Sequence, residues 1–286
     1  MTIRSILVAV RGDGHGEVVM NHALALARQC NAHIDVMHAR ARPEDLIPYG
    51  VLMTDAMRKT ILESAAGNAE QEEGRVRDLF SEYCKKNGLE TVDSVEGANA
   101  DRVTVSWHEV TGKQADLIGV WGRLADLICV AKPTKDLGQN TLEAALMQTG
   151  TPTVLCAKTA PDVIGKHPVI AWNGSAEASS TVKAVLDLLT AADKVTILSA
   201  DPAKESHDLA AEDLQRFLSK HGVTTDIRLF GKSDNIGSRL LDETKAAGGD
   251  LLVMGAYGRS RRRELVFGGA TEHVVRNAAL PVLLGH

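Results

Sequence analysis

Short apolar runs alternate along the chain with segments in which apolar residues recur every three or four positions. In the second half, runs typical of buried strands occupy residues 169–172, 195–200, 251–254 and 282–284. A fifth strand is predicted where apolar and polar residues alternate from Val223 to Leu229. Helical spacing lies between the strands, in Ala178, Val182, Val185 and Leu189, in Ala210, Leu214 and Phe217, and in residues 236–247 and 269–278. The pattern predicts an α/β fold, a five-stranded parallel sheet with helices on both faces.

The first half repeats this pattern. Asp126 and Asp250 each precede a short apolar run, and the first strands, 5–10 and 168–172, also correspond. Residues 158–168 contain two prolines and a glycine and predict a linker. We therefore expect two tandem domains, residues 1–161 and 162–286. A longer stretch near residues 40–90 predicts a loop or an extended helix over the first sheet.

Composition excludes several classes of protein. With 32 basic and 37 acidic side chains in 286 residues, the net charge is −5, and aromatic residues make up 3%. Both values argue against a nucleic-acid partner. The four cysteines lie far apart and are expected to be buried, reduced thiols. Neither a membrane-length apolar run nor a signal-like start is visible, so a cytoplasmic protein without a membrane partner is expected.

One loop carries a candidate chemistry. Gly255 and Gly258 follow a predicted strand, and nine residues later Gly268 opens a predicted helix. Glycines let main-chain amides approach a ligand, and the unpaired N–H groups of a helix N-terminus bind phosphate. Thr271 could add its hydroxyl and Arg259 its charge. The alternative is that these glycines serve tight turns and that the arginines of residues 259–263 form a solvated face.

At this loop the chain resembles the universal stress protein family in its tandem form, whose nucleotide-binding members share the G-x2-G-x9-G spacing. The resemblance implies two tandem flavodoxin-like or Rossmann-like domains and an adenine nucleotide, ATP or a relative, in the C-terminal half. The residues that would contact it are Ala171, Trp172, Asn173, Gly174, Ser175, Leu198, Ser199, Met254, Gly255, Gly258, Arg259, Gly268, Gly269, Ala270 and Thr271.

Two positions depart from the family pattern. Gly269 stands where the family has Ser or Thr, and Asn173 where an Asp often lies near the nucleotide. An amide lacks the charge that helps to retain a divalent cation, so metal dependence is not expected.

The first half lacks the glycine motif after residue 131, and Pro133 and Lys132 take its place. We interpret this half as a degenerate partner domain, giving one nucleotide site per chain. The resemblance also implies that the last strands of the halves pair across a pseudo-twofold axis, an intramolecular pseudo-dimer. Whether the chain also forms a homodimer is left open by the sequence.

Two other functions compete with nucleotide binding. One is a nucleotide-independent interaction or chaperone-like module. The other is an enzyme of the adenine-nucleotide α-hydrolase type. No general base or catalytic pair is recognisable, so catalysis is expected to be at most slow ATP hydrolysis. His33 with His38 does not form a recognisable metal site. His273 lies one turn into the last helix, where it could have a polar role beside the glycine loop, but it is interpreted as an exposed or packed helix residue.

Overall fold

A computed structural model describes residues 3–10, 14–40, 42, 54–92, 101–134, 138–200, 209–231, 233–256 and 269–286. Its strands are β1 (Ser5–Val10), β2 (His33–Arg40), β3 (Glu90–Thr91), β4 (Thr104–Thr111), β5 (Leu127–Ala131), β6 (Thr153–Cys156), β7 (Pro168–Trp172), β8 (Val195–Ala200), β9 (Thr225–Phe230), β10 (Leu251–Gly255) and β11 (Val282–Gly285). Its helices are α1 (Gly16–Cys30), α2 (Asp55–Asn87), α3 (Gln114–Trp121), α4 (Gln139–Gln148), α5 (Ala176–Ala184), α6 (Leu186–Thr190), α7 (Ala211–Lys220), α8 (Ile236–Ala247) and α9 (Gly269–Asn277).

These strands form one sheet in the order β3-β4-β2-β1-β5-β6-β11-β10-β7-β8-β9. Counting its five longer strands in chain order, each half has the order 3-2-1-4-5, which is the Rossmann order rather than the flavodoxin order. The predicted α/β fold with two tandem repeats is confirmed.

The halves meet through their last strands. β6 and β11 pair antiparallel, with Val154 opposite Leu283, whereas the other neighbouring strands pair in parallel. This pairing covers two strands that would otherwise be open edges. The predicted pairing of the last strands of the two halves is therefore confirmed.

The repeated acidic residue has the same structural task in each half. The Asp126 carboxylate accepts hydrogen bonds from the main-chain N–H groups of Arg4 and Ser5, at 2.8 and 3.0 Å. The Asp250 carboxylate accepts them from Lys166 and His167, at 2.8 and 3.1 Å. Each Asp thus fixes the start of the first strand beside the start of the fourth.

The strands present alternate side chains to two apolar cores. One core includes Ile6, Val8 and Val10 of β1 with side chains of α1, α2, α5, α6 and α7. The other includes Leu7 and Ala9 with side chains of α3, α4, α8 and α9. Burial on both faces explains why these strands are continuous apolar runs.

The linker predicted between the halves contains neither helix nor strand from residue 157 to 167. It nevertheless packs on the first half, because Ile164 is fully buried and its carbonyl oxygen accepts a hydrogen bond from Gln29 of α1. The domain boundary near residue 162 stays a prediction.

Three details of the sequence prediction are wrong. The first half has a sixth, two-residue strand, because the long helix α2 returns the chain beside β4, where Glu90 pairs with Thr104. The single helix predicted through residues 178–189 is broken at Val185, whose backbone leaves the helical region while its side chain stays buried. On β9 the alternation ends early, since Leu229 is 54% exposed and Phe230 is buried.

The long insertion of the first half forms the helix α2. The Thr54 hydroxyl caps its start by accepting from the Met57 N–H, and Gly88 ends it in the left-handed region at φ +64°. Among its described side chains, those of Val76, Phe80, Tyr83 and Cys84 are buried in the core. The cysteines Cys30, Cys84, Cys129 and Cys156 are free thiols, and three of them are buried as predicted, whereas Cys30 is half-buried.

Candidate functional site

The strands that carry the predicted nucleotide contacts have their carboxyl ends side by side. β10, β7 and β8 are parallel neighbours, with Met254 opposite Ala171 and Ala171 opposite Leu198. At the next position Trp172 lies opposite Ser199. Ligands of open parallel sheets bind beyond the carboxyl ends of the strands. These predicted residues, far apart in the sequence, are therefore brought together.

The turn after β7 is shaped by its own side chains. The Asn173 carboxamide oxygen accepts from the Ser175 N–H at 3.1 Å, and Gly174 has a φ of +73°. The Ser175 hydroxyl caps α5 by accepting from the Ala178 N–H at 3.2 Å. Asn173 and Ser175 thus hold the loop in place, and the first turn of α5 begins directly above the strand ends.

Three of the predicted contact residues, Trp172, Leu198 and Met254, belong to the core. Trp172 is 5% exposed, and its indole N–H donates to the carbonyl oxygens of Leu209 and Ala210 before α7. Leu198 is fully buried. Ser199 is half-buried at the strand end. A ligand beyond this edge would therefore meet the main chain of residues 172 and 198 rather than their side chains.

Gly255 has a packing role that the glycine motif did not predict. A Cβ at this position would lie 2.6 Å from the Ala178 nitrogen and 2.8 Å from the Glu177 carbonyl carbon. Glycine is therefore required for α5 to approach the end of β10. The first glycine of the motif serves helix packing, whatever else the loop binds.

The centre of the glycine loop, including Gly258, Arg259 and Gly268, lies outside the described residues. After it, α9 begins at Gly269, as predicted, and Thr271 is 6% exposed in its first turn. A Cβ at Gly269 would meet nothing within 4 Å. Among the described residues, therefore, no crowding explains why glycine replaces the Ser or Thr of the family.

In the first half the equivalent loop joins the two halves. The Lys132 ammonium group donates a hydrogen bond of 2.7 Å to the carbonyl oxygen of Ala278, just after α9. Burial and the nearby Lys158 lower the pKa of Lys132. Residues 135–137 lie outside the described part of the chain. Lys132 thus makes a structural contact in the loop that corresponds to the glycine loop of the second half.

His273 is packed between helices. Its Nδ1 lies 3.1 Å from the Asn235 carboxamide nitrogen, which donates to it. Its side chain covers Gly237, where an added Cβ would lie 2.6 Å from the His273 Cβ. Of the two interpretations of His273, the structure supports a packed residue that joins α8 and α9.

Sequence reasoning missed one polar cluster, on β2 and β4. The Asp35 carboxylate lies 2.9 Å from the Ser106 hydroxyl and from His108 Nε2, and 3.4 Å from His33 Nε2. Burial alone would raise the pKa of Asp35, but hydrogen bonds from His33, His108 and Ser106 outweigh it and hold the pKa well below its usual value. Period-two spacing in two strands was the available signal, yet it could not show that the strands are neighbours.

Within the described residues, no group of three or more His, Cys, Asp and Glu side chains is placed to hold a metal ion. None of the helices in the described part of the chain is both long enough and apolar enough to span a membrane.

Comparisons with known proteins agree with this architecture. The model of the universal stress protein family matches residues 172–286. No curated protein sequence matches the chain. Among solved structures, a universal stress protein from Archaeoglobus fulgidus DSM 4304 is 13% identical with a TM-score of 0.67, covering 98% of this chain and 95% of its own. A protein of Pseudomonas aeruginosa UCBPP-PA14 assigned to the same family is 17% identical with a TM-score of 0.60, covering 99% and 93%. The chain therefore contains a universal stress protein domain at residues 172–286, and its two halves together have the fold of solved universal stress proteins.

Proposed function

We propose that the protein is a cytoplasmic stress-response protein whose C-terminal half binds ATP or a related adenine nucleotide. The observation that carries the proposal is the meeting of the ends of β7, β8 and β10, with α9 as the next helix after β10, within a universal stress protein domain. Loops at the carboxyl ends of parallel strands and the N-terminus of a following helix are the usual place for an anionic ligand.

The proposed roles follow the position of each residue. The adenine lies against the end of β8 near Ser199, contacting main chain where Leu198 and Trp172 bury their side chains. The phosphates accept hydrogen bonds from main-chain amides of the glycine loop and from the first turn of α9, with the Thr271 hydroxyl and the Arg259 charge assisting. The phosphate-binding amides are those of Gly258, Gly268, Gly269 and Ala270.

One nucleotide per chain is proposed. In the first half, Lys132 occupies the equivalent loop and donates to Ala278 of the other half. The first half thus acts as the fixed partner of an intramolecular pseudo-dimer, joined through β6 and β11.

Isothermal titration of the purified protein with ATP tests this proposal. Gly258→Val together with Gly268→Val should abolish binding and leave the circular dichroism spectrum unchanged. Gly231→Val is the matched control, because a Cβ at Gly231 would meet nothing within 4 Å. Gly255 is unsuitable as a binding test, since its substitution would disturb α5.

The competing functions give different results. No binding at millimolar ATP would contradict the proposal and favour a nucleotide-independent interaction module. Equal binding by the double variant would place the nucleotide elsewhere. Release of pyrophosphate with an added acceptor would indicate an enzyme of the adenine-nucleotide α-hydrolase type.

A further inference from the structure

The strand β9 lies at one end of the sheet. Within the described residues it pairs with β8 on one side and with no strand on the other. The opposite end of the sheet differs, because the two-residue strand β3 covers the start of β4 there. A very short edge strand is one way in which proteins limit pairing between molecules. β9 has six residues and, in the described part of the chain, no such cover.

Most of the main chain of β9 is free to pair on its outer side. Apart from its bonds to β8, its one hydrogen-bond partner among the described residues is Gln215, whose carboxamide donates to the Thr225 carbonyl oxygen at 3.0 Å. That contact involves the first residue of the strand. From Asp226 to Phe230, every second residue therefore directs an N–H and a C=O group away from β8, where an added strand can pair with them.

One face of β9 exposes apolar surface beside this edge. Ile227 is half-buried and packs against the core that also contains side chains of α7. Leu229 lies two residues further along, on the same face of the strand. It is 54% exposed. A strand added to β9 would cover this side chain.

The other face of β9 has two opposite charges. Asp226 is 61% exposed, and its carboxylate lies 2.8 Å from the ammonium group of Lys194 on the β8 side. Arg228, two residues further along, is half-buried and forms no ion pair within the described residues. A partner that pairs with this edge would therefore place an acidic side chain opposite Arg228 and a basic one beside Asp226.

The order of these charges makes β9 complementary to a second copy of itself. In an antiparallel pair centred on Ile227, each Asp226 lies opposite Arg228 of the second copy. Centring the pair on Asp226 or on Arg228 would place like charges opposite each other, which destabilises a sheet. Registers centred between two residues would pair side chains of opposite faces, and a twofold axis perpendicular to the sheet excludes them.

The chain already contains a junction of this kind. β6 and β11 pair antiparallel at the meeting of the two halves, with Val154 opposite Leu283 and both side chains in the same core. A pair of β9 strands would repeat this arrangement between two molecules. The eleven-stranded sheet would then continue into the second copy.

We propose that two copies of the protein associate through their β9 strands, paired antiparallel about Ile227. Two pairs of Asp226 with Arg228 fix the register, and Ile227 and Leu229 of both copies cover one another on the side of α7. The interface contains none of the residues proposed to contact the nucleotide. It is therefore independent of the proposed function.

Sedimentation equilibrium of the full chain over a range of concentrations tests the proposal. The parent should show a reversible equilibrium between one and two copies. Asp226→Arg and Arg228→Asp should each weaken self-association at least tenfold, because the twofold axis places like charges opposite each other twice. Glu63→Arg, a charge reversal at an exposed position of α2, is the matched control and should leave the equilibrium unchanged.

A mixture of the two single variants is the decisive measurement. Asp226→Arg has two basic side chains at these positions and Arg228→Asp has two acidic ones. The two variants should therefore associate with each other although neither associates with itself. The double variant Asp226→Arg/Arg228→Asp should self-associate like the parent, because each acidic side chain again lies opposite a basic one. General damage to the fold would not be reversed in either way.

Amide hydrogen exchange of the parent gives a second measurement that needs no variant. Exchange in β9 should slow as the protein concentration rises, whereas exchange in β4 should not. A parent that stays monomeric at every concentration would overturn the proposal and leave the edge of β9 to a strand of another protein. Self-association that neither single variant weakens, or single variants that do not combine on mixing, would also overturn it.

Discussion

Gly255 at the end of β10 lies so close to Ala178 in α5 that an added Cβ would be 2.6 Å from the Ala178 nitrogen. The same loop ends at Gly269, where an added Cβ would meet nothing within 4 Å. The glycines at the two ends of this loop thus have different surroundings. One is required by a neighbouring helix, and the other has open space around it.

The different surroundings of Gly255 and Gly269 predict different effects of an added methyl group on stability. Gly255→Ala should lower the free energy of unfolding by about 1–3 kcal/mol, because the methyl group must displace the start of α5. Gly269→Ala should leave it within about 0.5 kcal/mol of the parent. Denaturant unfolding of the two variants measures both values. A Gly255→Ala variant as stable as the parent would show that α5 can move away without cost.

The carboxylates of Asp126 and Asp250 predict equal effects in the two halves. Replacing either Asp by Asn leaves one main-chain N–H facing the carboxamide oxygen, a weaker acceptor than a carboxylate. The other N–H then faces the carboxamide NH2 group, which cannot accept a hydrogen bond. Each replacement should lower the free energy of unfolding by about 1–3 kcal/mol. Thermal unfolding of Asp126→Asn and Asp250→Asn, compared with Asp116→Asn on α3, checks this prediction. It fails if the effects do not exceed that of the control.

The lowered pKa of Asp35 predicts that the stability of the fold depends on pH. Because its pKa is lower in the folded protein than in the unfolded chain, ionised Asp35 stabilises the fold above pH about 4. That contribution is lost as the pH falls toward the folded-state pKa. Asp35→Asn should therefore cost about 1–2 kcal/mol at pH 7, and the difference from the parent should shrink below pH about 4. A difference that stays constant across acid pH, in urea unfolding, would contradict this role.

Replacing Trp172 should have a large effect on stability, because its side chain fills the space between β7 and the start of α7. Trp172→Ala should cost about 3–5 kcal/mol through the cavity that it leaves. Trp172→Phe keeps much of the packing and removes only the donor to Leu209 and Ala210, so its cost should be about 1–2 kcal/mol. Chemical unfolding of both variants separates packing from hydrogen bonding, and equal losses would contradict the separation.

Much of the fold could be predicted from periodicity. β1 and α8 have the predicted bounds, because their apolar positions follow one period without interruption. The break at Val185 and the short strand β3 could not be predicted. The break at Val185 leaves the apolar spacing of the two helices intact. The strand β3 depends on where the long helix α2 returns the chain.

The sequence could predict where in the fold the candidate site lies, but not which groups would contact a ligand there. Parallel strand ends meet at one edge by topology, so Ala171, Leu198 and Met254 come together. The sequence does not distinguish a glycine that leaves space for a ligand from one that leaves space for a neighbouring helix, as Gly255 shows. Trp172 was predicted from its position in the strand, but the direction of its side chain depends on the core that surrounds it.

The central claim is that an adenine nucleotide binds in the C-terminal half and not at the equivalent loop of the first half. Titration of ¹⁵N-labelled protein with ATP tests it most directly, with the main-chain amide signals followed residue by residue. We predict that the signals of Gly255, Gly269 and Ala270 shift with saturable dependence on ATP while those of Lys132 and Thr134 stay in place. Shifts confined to Lys132 and Thr134, or no saturable shift at millimolar ATP, would contradict the account.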